Sequence, residues 1–158
     1  MILATVAQRQ ALLERAHSIA MVGASSNPLR PSFTVFSYLR TKGRYSVVPI
    51  NPTLQAIDGI AAFASLRDYA AVHGAPDIVD VFRKPSEVLA VVDEAIAVGA
   101  KAIWFQYGVI NDEAIARADA AGLDVVIDKC LKVESARFDG GLATSGLNSG
   151  VITSRRKQ

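Results

Sequence analysis

Short apolar runs alternate with helix-patterned segments along this chain, and that alternation limits its folds more than any other feature. Ile19–Gly23, Tyr45–Ile50, Asp77–Phe82, Ala102–Phe105 and Leu123–Ile127 are strand-like runs, bounded mostly by Gly, Pro or Asn. Between them, Ser32–Lys42, Pro85–Val98 and Asn111–Ala121 carry apolar residues at helical spacing, and Gly43, Gly99 and Gly122 mark their ends. A further helix is expected over residues 3–17 and a short one around Ser65–Ala71, in an otherwise irregular stretch from Thr53 to Pro76. Strand–helix alternation of this kind builds βαβ units around a parallel sheet. Right-handed crossovers leave few windings. The expected fold is therefore α/β, a Rossmann-like doubly wound parallel five-stranded sheet of order 3-2-1-4-5 in three αβα layers. The flavodoxin-like order 2-1-3-4-5 is the alternative. Pro49 points to an edge position or a strand end for the second run.

Composition narrows the function classes. The chain has 158 residues, 51% hydrophobic and 20% charged, which suits one globular domain over residues 1–138 followed by a Gly/Ser/Thr-rich basic tail over 139–158. No apolar run approaches the roughly 18 residues of a membrane span. The single cysteine, Cys130, excludes an internal disulfide framework and fits a reducing cytoplasm. With only His17 and His73 beside it, the sequence offers no metal-ligand cluster. Between Ala24 and Ile57 there is no acidic residue, while Arg30, Arg40, Lys42 and Arg44 all fall there, which suggests an anionic ligand nearby. Basic residues are too few, and aromatic motifs absent, for a nucleic-acid partner.

In a doubly wound sheet, ligands bind beyond the carboxyl ends of the strands, so the residues after each strand are the candidates. Gly23, Ala24, Ser25, Ser26, Arg30 and Ser32 follow the first strand; Ser32 is a candidate N-cap for the next helix. A glycine, free backbone N–H groups, hydroxyls and an arginine at a helix N-terminus suit a phosphate, with an ordinary serine-capped turn as the alternative. The dinucleotide pattern G-x-G-x-x-G is missing. Asn51-Pro52 stands where nicotinamide-binding sheets usually carry an acid. Phe82 and Arg83-Lys84 follow the third strand, Gln106-Tyr107-Gly108-Val109 the fourth, and Asp128-Lys129-Cys130 the fifth. Gln106 could hydrogen-bond an amide-containing ligand.

Taken together, Gly23-Ala-Ser-Ser-Asn-Pro28 with Arg30 and Ser32, Pro49-Ile-Asn-Pro52, Asp77–Arg83, Trp104–Val109 and Asp128-Lys-Cys130 resemble the small stand-alone bacterial CoA-binding proteins. Those are similar in turn to the CoA-binding domain of the succinyl-CoA synthetase α subunit. The resemblance implies coenzyme A or an acyl-CoA as ligand. Its phosphates would lie near Gly23–Ser26, Arg30 and Ser32, its adenosine near Asn51, Pro52, Phe82 and Arg83, and its pantetheine toward Gln106. The catalytic histidine segment and extra domains of the synthetases have no counterpart in the sequence, so a binding module without chemistry of its own is expected. A protein partner or homo-oligomer is compatible with this. The alternative is a small Rossmann enzyme, an oxidoreductase or a component of an acyl-CoA transferase or ligase.

Overall fold

A computed structural model describes residues 1–139. The tail expected over 139–158 lies, after Asp139, outside the described residues. The parallel sheet contains β1 (Ser18–Val22), β2 (Ser46–Ile50), β5 (Ile78–Val81), β6 (Ala102–Phe105) and β7 (Asp124–Val126), in the order β2-β1-β5-β6-β7. β5 and β6 are buried at every position, as apolar runs covered by helices on both faces must be.

The 3-2-1-4-5 winding is present, with a sixth position after it, once a vestigial edge is counted. Phe63 makes a single parallel bridge to Ile50, accepting from the Asn51 N–H at 2.9 Å and donating to Pro49 O at 3.0 Å. It holds the third place beside β2, and the run expected as strand three, now β5, holds the fourth. Over the full strands alone the order reads 2-1-3-4-5, the alternative weighed above. In either count the winding reverses between β1 and β5. Pro49 is tolerated because β2 is the outermost full strand on its side.

Helices α3 (Leu66–His73), α4 (Val88–Ala97) and α5 (Asp112–Ala120) cover one face, burying Leu66, Tyr69, Val88, Val92, Ala114 and Ala118 against Val79, Val81, Ile103 and Phe105. Helices α1 (Val6–Arg15), α2 (Pro31–Lys42) and α6 (Leu131–Phe138) cover the other, placing Leu12, Val35, Phe36, Leu39 and Leu131 on Ile19, Met21, Ile78 and Trp104. The helix expected from Pro85 opens as a 3-10 turn, Pro85–Glu87, before α4. Asn111 caps α5, its side chain accepting from the Ala114 N–H.

Three elements were not expected. In the irregular stretch, β3 (Ala56–Ile57) and β4 (Ile60–Ala61) form a hairpin whose turn, Asp58-Gly59, has φ of 50° and 79°. Asp-Gly with both φ positive is the preferred two-residue hairpin turn. Helix α6 buries Glu134, Ser135 and Arg137 alongside Leu131. Arg9 Nε donates to Glu134 Oε2 at 3.2 Å, so this buried carboxylate ties α6 to α1.

Candidate functional site

Where the winding reverses, the loops after β1, β5 and β6 part and leave a cleft of about 610 Å³. Its lining includes Gly23, Ala24, Ser25, Arg30, Ser32, Asn51, Phe82 and Arg83, eight of the residues expected from sequence.

Gly23 is the hinge of this arrangement. Its N–H donates to Ile50 O at 3.1 Å, and the Phe82 N–H donates to Val22 O at 2.8 Å, so the ends of β1, β2 and β5 are bound together around it. At φ +82° an added Cβ would lie 1.9 Å from Phe82 O. Only glycine fits. Beyond it, the N–H groups of Ala24, Ser25 and Ser26 have no acceptor among the described residues. The loop is shaped by its own side chains: Ser25 Oγ accepts from the Asn27 N–H, and Asn27 Oδ1 from the Leu29 N–H, both at 3.0 Å.

The cap of α2 differs from expectation. Pro31 occupies the first helical position, which forces Arg30 into an extended conformation and makes it the cap residue. Ser32 therefore lies inside the first turn, buried, and does not cap the helix. Arg30 supplies no side-chain acceptor, and with the Phe33 and Thr34 N–H groups already donating to Arg30 O, the first turn keeps the Ser32 N–H and its positive dipole for something else.

Asn51 acts as a clasp. Its Nδ2 donates to Ala24 O, while its Oδ1 accepts from Thr53 N and Thr53 Oγ1, each at 2.8 Å. An ionised carboxylate here could not donate to Ala24, which explains the amide in a place where nicotinamide-binding sheets put an acid.

Three other expected residues lie off the cleft. Ser26 is exposed on the loop. Pro52 borders a smaller hollow of about 130 Å³ with Ile50, Leu66 and Val91, joined to the main cleft through Arg83, which lines both. Gln106 is buried, and its Nε2 donates to Asp80 Oδ1 at 2.5 Å. That amide is therefore engaged within the core, and the β6 bank of the cleft is formed by Tyr107, Gly108 and Val109 instead. Hydrogen bonds from Val109 N to Gln106 O (3.0 Å) and from Gly108 N to Asp128 Oδ1 (2.9 Å) fix this turn. Asp80 is wholly buried, its Oδ2 without a partner among the described residues. Burial pushes its carboxyl up to about 7, against the opposing pull of the Gln106 side chain and the Val81 backbone.

Lys84, Glu87 and Pro31 complete the lining. Arg30, Arg83 and Lys84 form no ion pair among the described residues, although Glu87 lines the same cleft. The histidines lie elsewhere: His73 ends α3 and stacks on Tyr69 at 4.9 Å, and His17 precedes β1 at the amino end of the sheet. Cys130 is half-buried at the cap of α6. Among the described residues no group of acidic, His and Cys side chains could hold a metal, and no helix is long and apolar enough to cross a membrane.

Comparison with known proteins agrees with this architecture. YneT, an uncharacterised protein of Bacillus subtilis strain 168, is 35% identical over 130 residues, 82% of this chain and 93% of its own. A hypothetical protein of Pyrococcus horikoshii OT3 superposes with a TM-score of 0.80 at 38% identity, over 86% of this chain and 93% of its own. The dinucleotide-forming acetyl-coenzyme A synthetase 1 of Candidatus Korarchaeum cryptofilum matches at 25% identity and a TM-score of 0.59. That match covers 68% of this chain but only 25% of the synthetase. Residues 17–136, from the start of β1 through nearly all of α6, match the CoA binding domain, and the chain belongs to that family.

Proposed function

We propose that the cleft binds coenzyme A, and that the protein works as a stand-alone binding module with no catalysis of its own. The observation that carries this reading is the glycine-hinged cradle. Backbone donors at Ala24–Ser26 and at Ser32 in the first turn of α2 meet there with three cations that lack carboxylate partners among the described residues. The pyrophosphate lies against these N–H groups and Arg30. Arg83 and Lys84 face the 3′-phosphate, the adenosine extends past Asn51 and Phe82 toward Pro52, and the pantetheine follows the Tyr107–Val109 bank. The titratable side chains lining the cleft are Arg30, Arg83, Lys84, Glu87 and Tyr107, a set suited to holding an anion and without an evident nucleophile–base pair.

Calorimetric titration with coenzyme A, its 3′-dephospho form and NAD tests this reading. The expected order of affinity is coenzyme A, dephospho-coenzyme A, NAD. Loss of the 3′-phosphate is expected to cost about 1 to 3 kcal/mol. Added salt should narrow that gap, since exposed charges are screened. NAD binding as tightly as coenzyme A would overturn the ligand assignment.

A further inference from the structure

Among the described residues Asp80 is the only acid wholly buried within the sheet, and it lies under the cleft. Val79 and Val81 turn toward α3, α4 and α5, so Asp80, like Ile78, faces the side covered by α1, α2 and α6. Its neighbours across the strands are Met21 on β1 and Trp104 on β6, both wholly buried. Two residues on, about 7 Å along the strand, Phe82 closes against Gly23 and lines the cleft. The partner of Asp80, Gln106, stands one residue before Tyr107, and the Gln106 carbonyl accepts from the Val109 N–H. The Asp80–Gln106 bond therefore joins the two strands that carry the banks of the cleft.

No cation answers this carboxyl. The buried charged groups of α1 and α6, Arg9, Glu134 and Arg137, pair with one another. Helix α1 also carries Glu14 and Arg15, and α6 carries Lys132 behind its cap Cys130. Helix α2 carries Tyr38, Arg40 and Lys42 behind its cap Arg30. What sets the Asp80 carboxyl is none of these groups but burial, opposed by the Gln106 side chain and the Val81 N–H. Its Oδ2 has no partner among the described residues.

We infer that ligand binding in the cleft is coupled to protonation of Asp80, the proton residing on Oδ2, so that the occupied protein holds the neutral acid. The inference rests on the coenzyme A reading above and deepens it with a regulation of the same site. A polyanion in the cradle and a charge on Asp80 repel across buried, poorly screened space. Oδ1 stays the acceptor for Gln106 in either state, so the proton changes the charge beneath the cleft and leaves the tie between its banks intact. The ligand thus strengthens the hold of Asp80 on its proton, and by reciprocity the proton strengthens the hold on the ligand. Affinity falls as pH rises through about 7, where the empty protein gives the proton up.

Calorimetry of the full-length protein with dephospho-coenzyme A, in two buffers of different ionisation enthalpy, counts the protons taken up. This probe lacks the phosphate monoester, whose own second ionisation near pH 6 would confuse the count. At about pH 7.5 the wild type is expected to take up about half a proton, and its affinity to fall about fivefold between pH 6 and pH 8.5. Asp80→Asn should take up none and bind equally at both pH values. Glu87→Gln, which removes the carboxylate lining the cleft, should still take up the proton. Infrared difference spectra of the wild type give a readout that needs no variant: the carbonyl stretch of a protonated carboxyl should grow when ligand is added at about pH 7.5. Binding with no proton uptake, or without that band, would overturn the inference and leave the coenzyme A reading standing. Uptake that persists in Asp80→Asn, or vanishes in Glu87→Gln, would place the proton elsewhere and overturn it equally. Failure of both coenzyme A and its dephospho form to bind at any pH would refute the coenzyme A reading itself.

Discussion

The two ends of the sheet treat charge in opposite ways. At the amino-terminal end, Asp77 accepts from the N–H groups of His17 and Ser18 and pairs with Lys101 at 3.0 Å. Arg15 pairs with Asp124 at 2.6 Å, and the terminal ammonium of Met1 with Asp119 at 3.1 Å. Burial works to raise the Asp77 carboxyl, but those N–H groups and Lys101 hold it below its usual range. At the carboxyl end, Arg30, Arg83 and Lys84 share a cleft with no ion pair between them and any described residue. Both ends are built from the same βα connections. What differs is that one end completes its electrostatics internally and the other leaves donors and cations open. An open arrangement costs folding energy through like-charge repulsion, and it is the arrangement an anionic ligand completes.

The largest effect is expected where the open end depends on backbone geometry. Gly23→Ala places a methyl against Phe82 O at a φ that alanine rarely adopts. The ends of β1 and β5 must then separate. The variant should lose measurable coenzyme A binding and about 2 to 4 kcal/mol of stability. Calorimetry and urea denaturation report the two losses separately. Unchanged affinity and stability would show that the cradle does not depend on this close approach.

Asp80 sharpens the comparison, because it lies in the same strand segment as Asp77 yet has only one side-chain partner. Its folded carboxyl is raised to about 7, far above an unfolded aspartate. Well below about pH 4 both states are protonated, and the group imposes no penalty; near pH 4 the unfolded chain is only half ionised at this group and the penalty is still small. As pH rises from about 4 to about 7 the unfolded chain gives up its proton while the folded chain keeps it, so stability falls across that window and levels off above it. Asp80→Asn keeps an acceptor for Gln106 and removes the titration. Its stability relative to wild type should rise by about 2 to 4 kcal/mol from the acid to the alkaline side of that window. Urea midpoints at about pH 4 and about pH 8 measure it. A difference independent of pH would mean that Asp80 is already neutral, or already solvated, throughout.

The same contrast explains what could be read from sequence. β5 and β6 are legible because they are buried on both faces and, Asp80 apart, apolar throughout, and the expected run Ala102–Phe105 coincides with β6. Helix α6 was not, because its inward face carries Glu134, Ser135 and Arg137, so its period is hidden from any apolar pattern. The β3–β4 hairpin is too short to show alternation, although its Asp58-Gly59 turn was readable. In the cleft, Gly23, Arg30, Asn51, Phe82 and Arg83 were found because the residue after a parallel strand opens toward the ligand face. Gln106 broke that rule by following the pleat: it continues the parity of Ala102 and Trp104 and meets Asp80 inside the core. Glu87 joins the cleft from the 3-10 turn before α4, a placement with no local sequence signal. Ser32 lies within the first turn and not at the cap because Pro31 takes the first helical position and holds its predecessor, Arg30, extended.

The smallest effects separate the two ends most directly, because they compare two exposed cations that differ mainly in whether a partner is present. Arg30 has none among the described residues, and its removal takes nothing from the folded chain that the structure can name. Arg30→Ala should therefore leave stability nearly unchanged while weakening coenzyme A binding by about 1.5 to 3 kcal/mol, the range for hydrogen bonds to charged groups. Lys101 already has its partner in Asp77, and its side chain is 73% exposed. Lys101→Ala should leave coenzyme A affinity unchanged and cost less than about 1 kcal/mol of stability, because an exposed pair is weakened by solvent and salt. Asp77 would still keep the His17 and Ser18 N–H groups. Paired calorimetry and urea denaturation on both variants decide the matter. If Lys101→Ala weakened binding as much as Arg30→Ala, the attraction would be a property of net charge, and the distinction between a completed end and an open one would fail. If instead Arg30→Ala lost stability and kept its affinity, the arginine would be serving the fold, and the anion would have to be held by the backbone cradle and the Arg83-Lys84 bank alone.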